Sequence, residues 1–427
     1  MEIKEKIDDS KLRVESEEKS FIPIVDLLLK KIKDISQKEK INYTLFAVCP
    51  NSENVLKAAL RAAKRAHAPI NFAATLNQVD IDGGYTGWTQ EDLVRKIKEQ
   101  SYSIGYNGPI IVAVDHGGPW LKDIQTIEKW NLDESMSWIK KSFEAALLAG
   151  YDLLHIDPTV DIFSGQIKIE TVVERTIELI SHVEKFRKSK KMKSVSYEVG
   201  TEEVHGGLAD MTVFKKFLEL LKDGLQKIGL DYVWPSFIVG KVGTDLHTST
   251  FNPAVAKKIV EIAKDYNSYI KGHYTDFVSN PEDYPKSGMG AANVGPEFTI
   301  LEYDGLSELC AIEDKLYKEN KVACKSNFIK ILEEAVLKSG RWEKWLQNDE
   351  KDFKSLNKKR KEWVVKTSCR YVWALAEVRC AQNKLYRNLE LNGIDAENWV
   401  IMKIEESMDK YFRAFNLINI NEKLNVK

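Results

Sequence analysis

The chain has 427 residues, 43% hydrophobic and 30% charged, enough for one barrel with an appendage or for two to three ordinary globular domains. Its 63 basic and 64 acidic residues leave a formal charge of -1. No global field therefore draws it to nucleic acid or to an anionic membrane surface. The N-terminal MEIKEKIDDSKLRVESEEK alternates in charge around no apolar core, so no signal peptide is expected, and the longest apolar runs are strand-sized rather than membrane-spanning. The five cysteines (Cys49, Cys310, Cys324, Cys369 and Cys380) form no CxxC pair. Scattered and odd in number, they fit reduced thiols and a cytoplasmic location.

Residues 1–42 read as a lead-in whose stretch FIPIVDLLLKKIKDI has helical periodicity and suits a plug for the lower mouth of a barrel. Strand-like runs then alternate with amphipathic ones. YTLFAVC (43–49) precedes ENVLKAALRAAKRA, with Ser52 as its N-cap. PINFAAT (69–75) leads through a Gly-rich loop to TQEDLVRKIKEQ. PIIVAVD (109–115) precedes ESMSWIKKSFEAALLAG, YDLLHID (151–157) a helix near 169–188, and SVSYEVG (194–200) the run DMTVFKKFLELLKDGLQKIG. DYVWPSFIVG (231–240), interrupted by Pro235, precedes PAVAKKIVEIAKDY; SYIKGHYT (268–275) and GAANVG (290–295) complete the series. Unbroken apolar strands alternating with helices indicate a parallel sheet covered on both faces. Eight such units predict an α/β fold, a (β/α)8 TIM barrel over 43–300. From 301 to 427 the pattern is helical only, with long runs at 324–339, 361–390 and 396–415, a C-terminal extension packed on the barrel.

In such barrels the chemistry gathers at the C-terminal ends of the strands. Asp115 and His116 stand there on strand three, His155 and Asp157 on four, Glu198 on five with Glu202, Glu203 and His205 just beyond, His247 past six, and His273 and Asp276 on seven. Five of the seven histidines thus fall at one mouth. Imidazoles with carboxylates make a divalent-metal site. His116, His247 and His273 are the candidate ligands, for zinc first, with manganese, cobalt or nickel as alternatives; calcium prefers oxygen. Each histidine taken alone is as readily a strand-end residue bonded to backbone. His155 is balanced between ligand and packing, and His205 reads as an ordinary loop residue.

Asn77 and Gln78 offer amides to sugar hydroxyls, and Asp157, Asp276 and Asn293 are further candidates for substrate contact. The loop DGGYTGWT (82–89) is either a lid or a set of glycine turns. Backbone amides in KSGMGAANVG (286–295) are candidates for holding phosphate, as loops after strands seven and eight commonly do in this fold. CRYVWALAEVR (369–379) reads as core, with anion binding by Arg370 as the second reading.

NQVDIDGGYTGWT, VDHGGP, LLHIDPT, YEVGTEEVHGG, HYTDF and NVGPEFT occur in this order at barrel-like spacing. Together they resemble the GatZ/KbaZ family, the partner subunit of class II tagatose-bisphosphate aldolases, from about residue 43 to at least 300, with Arg370, Tyr371 and Trp373 extending the likeness into the tail. The resemblance implies a barrel of class II aldolase type and a phosphorylated ketohexose as substrate. It implies that His116, His247 and His273 correspond to the three zinc histidines of class II aldolases. Asp115 then corresponds to the carboxylate that moves protons at the substrate hydroxyl, with Glu198 and Glu202 as further catalytic candidates. Two functions follow. One is metal-dependent chemistry at C3–C4 of the sugar, as a tagatose/fructose 6-phosphate 4-epimerase or a tagatose-bisphosphate aldolase. The other is a non-catalytic subunit in a hetero-complex with a separate aldolase chain. A homo-oligomer is expected for the first. Classical partner subunits carry an aliphatic residue where Glu198 stands, and VPVPGG-like text where this chain has EEVHGG; both departures weigh toward catalysis.

Overall fold

The computed structural model describes residues 7–19, 22–164, 167–200, 209–244, 249–347 and 350–425. Its lead-in holds α1 (Lys11–Glu18) and α2 (Ile24–Glu39). The strand–helix alternation follows: β1 (Leu45–Val48), α3 (Glu53–Ala66), β2 (Ile70–Thr75), α4 (Gln90–Ile104), β3 (Ile110–Gly117), α5 (Asp123–Ile127), α6 (Leu132–Ala149), β4 (Leu153–Ile156) and α7 (Ile169–Ser189). It continues with β5 (Ser196–Gly200), α8 (Met211–Lys227), β6 (Phe237–Val239), α9 (Pro253–Asp265), β7 (Tyr269–Gly272), α10 (Asp283–Lys286), β8 (Ala291–Val294) and α11 (Pro296–Lys318). The tail adds α12 (Phe328–Ser339), α13 (Lys358–Ser368), α14 (Ala376–Glu390), α15 (Ala396–Ala414) and α16 (Ile420–Lys423).

All eight strands are parallel, pair in chain order and close into one barrel, β1 joining β8 through the registers Leu45–Ala291 to Val48–Val294. All eight expected strands are present. β6 is the shortest and starts only after Pro235, which has no N–H for the ladder. Local chemistry sets the helix ends: Ser52 caps α3 by accepting from Val55 N, and Thr89 with Asp92 and Asn131 with Glu134 form capping boxes on α4 and α6. Gly105 and Gly150 end those two helices in the left-handed region.

The lead-in lies against the N-terminal ends of the strands. Arg13 pairs with Asp8 at 2.9 Å and Asp152 at 2.8 Å and donates to the Ile110 carbonyl, so it clamps the starts of β3 and β4. Asp26 of α2 accepts from Ser196 and Ser236 at the starts of β5 and β6.

The tail shares one apolar core with the barrel. Phe46 of β1 stacks on Tyr411 at 5.4 Å and meets Phe412 edge-on at 5.1 Å, so α15 covers the outer face of the first strand. The expected division at residue 300 falls inside α11, which is both the eighth helix of the barrel and the first of the tail. The run 361–390, expected as a single helix, breaks into α13 and α14 around a tight turn at Cys369–Tyr371. That turn carries Arg370 and Tyr371 inward, a tertiary demand that periodicity alone does not register.

Glu302 of α11 is buried where tail and barrel meet. It accepts from Ser52 Oγ at 2.5 Å and Asn54 Nδ2 at 2.8 Å, and burial pushes its carboxyl up to about 7 against those bonds. Its folded value lies above the ordinary one, so its contribution is complete below about pH 4.5 and is lost as pH rises through 7. Glu302→Gln should therefore gain stability relative to the parent between pH 5 and 8, by up to about 3 kcal/mol, in urea titrations at the two pH values. An unchanged difference would refute the burial argument.

Candidate active site

Consecutive residues of a regular strand point to opposite faces, so Asp115 and His116 should not serve one site. They do, because the β3–β4 register slips between Val114 and Gly117 and His116 takes a φ of 48°. A non-glycine residue in that region costs on the order of 1–3 kcal/mol, and the bulge re-aims its side chain. Asp115, His116, His155 and His273 then each offer one ligand atom, all within 4.8 Å of one another. The glycines that follow have a matching cause. A Cβ on Gly118 would stand 1.8 Å from the Asp157 carbonyl oxygen, so only glycine lets the two strand ends meet.

Two carboxylates orient two of the rings. His116 Nδ1 lies 2.6 Å from Asp157 Oδ2, and Asp157 also accepts from Thr159 Oγ1 at 2.5 Å. His273 Nε2 lies 2.9 Å from Glu198 Oε1, whose other oxygen takes Lys271 Nζ at 2.6 Å. An ionised carboxylate only accepts, so each ring turns its N–H toward its acid. In those tautomers His116 Nε2 and His273 Nδ1, 2.9 Å apart, would each present a lone pair to the other. Such a pair repels unless a cation or proton lies between. His155 packs 4.9 Å from the His116 ring and 5.2 Å from that of His273. Its Nδ1 accepts the backbone N–H of His116 at 3.0 Å, and its Nε2 is buried with no hydrogen-bond partner among the described residues.

Electrostatics holds the carboxylates ionised and the ligand ring neutral. Burial works against the Asp115 carboxylate, but the imidazoles around it and the Lys271 ammonium hold it well below the usual range; Asn293 Nδ2 donates to it at 3.2 Å. Burial also works against Glu198, and Lys271 with the two nearby imidazoles brings it down to about 2. Burial lowers His273 to about 4, against the pull of Asp115 and Glu198, so at neutral pH it is the uncharged imidazole that metal binding needs.

Of the residues singled out in the sequence, Asp115, His116, Glu198, His273 and Asn293 meet at this cluster, with Asp157 behind His116. His155 joins them as the third imidazole. Glu202 and His247 lie outside the described residues. Asn77 and Gln78 stand elsewhere in the bonding pattern. Asn77 donates to the Leu121 carbonyl and Asp123 and accepts from Asp123 N, while Gln78 accepts from Thr75 N and donates to Asn51. The loop DGGYTGWT is a set of turns: Gly83, Gly84 and Gly87 all have positive φ, and a Cβ on Gly84 would meet the Gln78 carbonyl at 2.3 Å. Asp276 accepts the amides of Gly295 at 3.0 Å and Glu297 at 2.7 Å, and burial pushes it up to about 7. Of the 286–295 amides expected to hold phosphate, that of Gly295 thus already serves a carboxyl group. Lys271, fully buried, was not singled out by the sequence. The signal is its place two residues before His273, just past the end of β7, a spacing that puts both side chains on one face.

A model of D-tagatose-1,6-bisphosphate aldolase subunits, GatZ/KbaZ-like, matches residues 29–415. The chain belongs to the GatZ/KbaZ-like family. Among solved structures it is similar to a probable tagatose 6 phosphate kinase from Sinorhizobium meliloti 1021, at 20% identity and a TM-score of 0.72, over 87% of this chain and 100% of that one. It is also similar to a fructose-bisphosphate aldolase from Campylobacter jejuni, at 13% identity and a TM-score of 0.53, over 92% and 94%. At these identities the two structures establish the shared barrel. In this family member, the three imidazoles with Asp115 beside them fit a divalent metal ion.

The Glu198–Lys271 pair is fully buried. Glu198→Leu should destabilise the chain by about 3–5 kcal/mol by leaving an ammonium without its anion. Glu198→Leu with Lys271→Met should recover most of that loss in urea denaturation. Equal losses in the single and double variants would show the pair to be uncoupled.

Proposed function

We propose that the chain is a divalent-metal-dependent enzyme acting on a phosphorylated ketohexose at C3–C4 by retro-aldol and aldol steps. The observation that supports it most is the convergence of His116, His155 and His273, each with a ring nitrogen within 4.8 Å of the others, beside an ionised Asp115. His116 and His273 would hold the cation, with His155 or His247 completing the set. Lewis-acid polarisation of a carbonyl oxygen is the chemistry a divalent cation supplies at such a set.

The chain's own groups move the protons. Asp115, held by Asn293, accepts the proton of the C4 hydroxyl as the C3–C4 bond breaks, and the bond's electron pair moves toward C3 and the C2 carbonyl. If the aldehyde half turns and C3 re-adds to it, Asp115 returns the proton and the product is the C4 epimer. If the aldehyde leaves, a proton is delivered to C3, balancing the one taken up by Asp115, and the products are two trioses. Asp157 and Glu198 keep the two imidazoles in position throughout, both Glu198 oxygens being engaged by Lys271 and His273, and Glu202 is the candidate for proton transfer at carbon. The second reading, a subunit that stabilises a separate aldolase chain, draws on the family's description as an aldolase subunit. The buried Glu198–Lys271 pair beneath the imidazoles favours the enzyme, since a scaffold has no use for an ion pair whose free oxygen orients a ligand ring.

The purified chain with zinc or manganese should convert fructose 6-phosphate to tagatose 6-phosphate, or cleave tagatose 1,6-bisphosphate, by NMR of the products. No turnover of either sugar, together with a stable complex with a catalytic aldolase chain, would favour the subunit reading. Asp115→Asn should lower kcat by about 10²–10⁴-fold with the metal retained. Asp157→Asn, which leaves His116 without its orienting acid, should weaken metal binding by about 10–100-fold in competition with a chromogenic chelator.

A further inference from the structure

The tail sets three cations around one aromatic ring at the edge of the barrel mouth. The Tyr371 ring lies 4.3 Å from the Arg341 guanidinium, 4.8 Å from Lys344 Nζ and 4.8 Å from the Arg370 guanidinium. Cation–π attraction favours each contact singly, while the three charges repel one another. Among the described residues one carboxylate forms ion pairs with them: Asp123, reached by Arg341 at 2.6 Å and Lys344 at 3.0 Å, while Asp276 lies within electrostatic reach of Arg370. Arg370 is buried and donates to the neutral Thr367 carbonyl at 2.6 Å and Tyr371 hydroxyl at 3.0 Å, with no carboxylate partner among the described residues. Two further N–H groups of the same cluster, Arg341 Nε and Trp345 Nε1, are buried without a hydrogen-bond partner among the described residues. The Trp345 ring is 5.3 Å from Arg370 and 5.0 Å from Lys344. A buried guanidinium and unfilled donors on this scale are costly unless an anion completes them.

The cluster belongs to the same mouth as the imidazoles. Tyr371 packs edge-on against Tyr85 at 5.2 Å, and Tyr85, from the loop after β2, donates to Asn51 Oδ1 just past the end of β1. The Cys49 thiol, at the end of β1, lies in electrostatic reach of both Asp115 and Arg370. Of the 286–295 amides expected to hold phosphate, that of Gly295 is taken by Asp276, as is the Glu297 amide beyond it. An anionic substrate therefore needs another cationic contact, and the tail supplies one.

We propose that Arg370, Arg341 and Lys344 form the subsite that binds the phosphate of the substrate, on the β1–β2 edge of the mouth, with the Arg341 Nε and Trp345 Nε1 groups as added donors. The identity of the ligand as a sugar phosphate rests on the function proposed above; the anion site itself is tested without turnover. Inorganic phosphate titrated calorimetrically into the full chain should bind to the parent. Its affinity should fall by about tenfold or more in Arg370→Gln and by about three- to fivefold in Lys344→Gln. If Arg370→Gln does not fold, the more exposed Lys344→Gln decides. No phosphate binding by the parent at tens of millimolar, or parent-like affinity in the variants that fold, would overturn the subsite. Phosphate binding with this pattern but no sugar turnover would leave the subsite standing and remove the proposed reaction.

Discussion

Two imidazole nitrogens 2.9 Å apart cannot both present lone pairs unless something positive lies between them or their acids let the rings turn. Asp157 and Glu198 do not let them turn, because each is itself anchored, by Thr159 and by Lys271. Much of the local backbone follows from that constraint. The bulge at His116 brings a residue that strand parity would send outward into contact with the ring on β7, and Gly118 lets the ends of β3 and β4 close enough for Asp157 to reach it. The cluster is thus assembled from four strands under strain and held by a buried ion pair and carboxylate–imidazole hydrogen bonds, an arrangement that favours one geometry over tight local packing.

The barrel was legible in the sequence because a parallel sheet covered on both faces writes itself as eight continuous apolar runs. The mouth was legible because Asp115, His116, His155, Glu198 and His273 all end such runs. What escaped was set by contacts between distant segments. Nothing local in VDHGG announces a left-handed histidine, and Lys271 looks like any strand lysine until Glu198 is placed opposite it. Asp276 read as substrate-facing, but it caps the helix that begins α11. The turn at Cys369–Tyr371 interrupts a periodic run with neither Gly nor Pro to mark it, since its cause is the burial of Arg370 and Tyr371.

The tail is less an appendage than a third party to the mouth. α11 closes the barrel and opens the tail in one helix, α15 covers β1, and the turn before α14 together with the segment after α12 brings three cations to loops that follow β1, β2 and β3. Metal-type ligands come from the strands and cationic contacts from the tail. Substrate chemistry and substrate capture are therefore carried by parts of the chain far apart in sequence.

The stacking of Phe46 on Tyr411 bears on biosynthesis as well. The first strand emerges from the ribosome with its outer apolar face bare, and its covering helix is translated hundreds of residues later. Contacts of such wide sequence separation slow folding through the entropy of closing a long loop. During that wait the nascent β1 presents a sticky, unpaired surface that a chaperone holding it would shield until the C-terminus arrives.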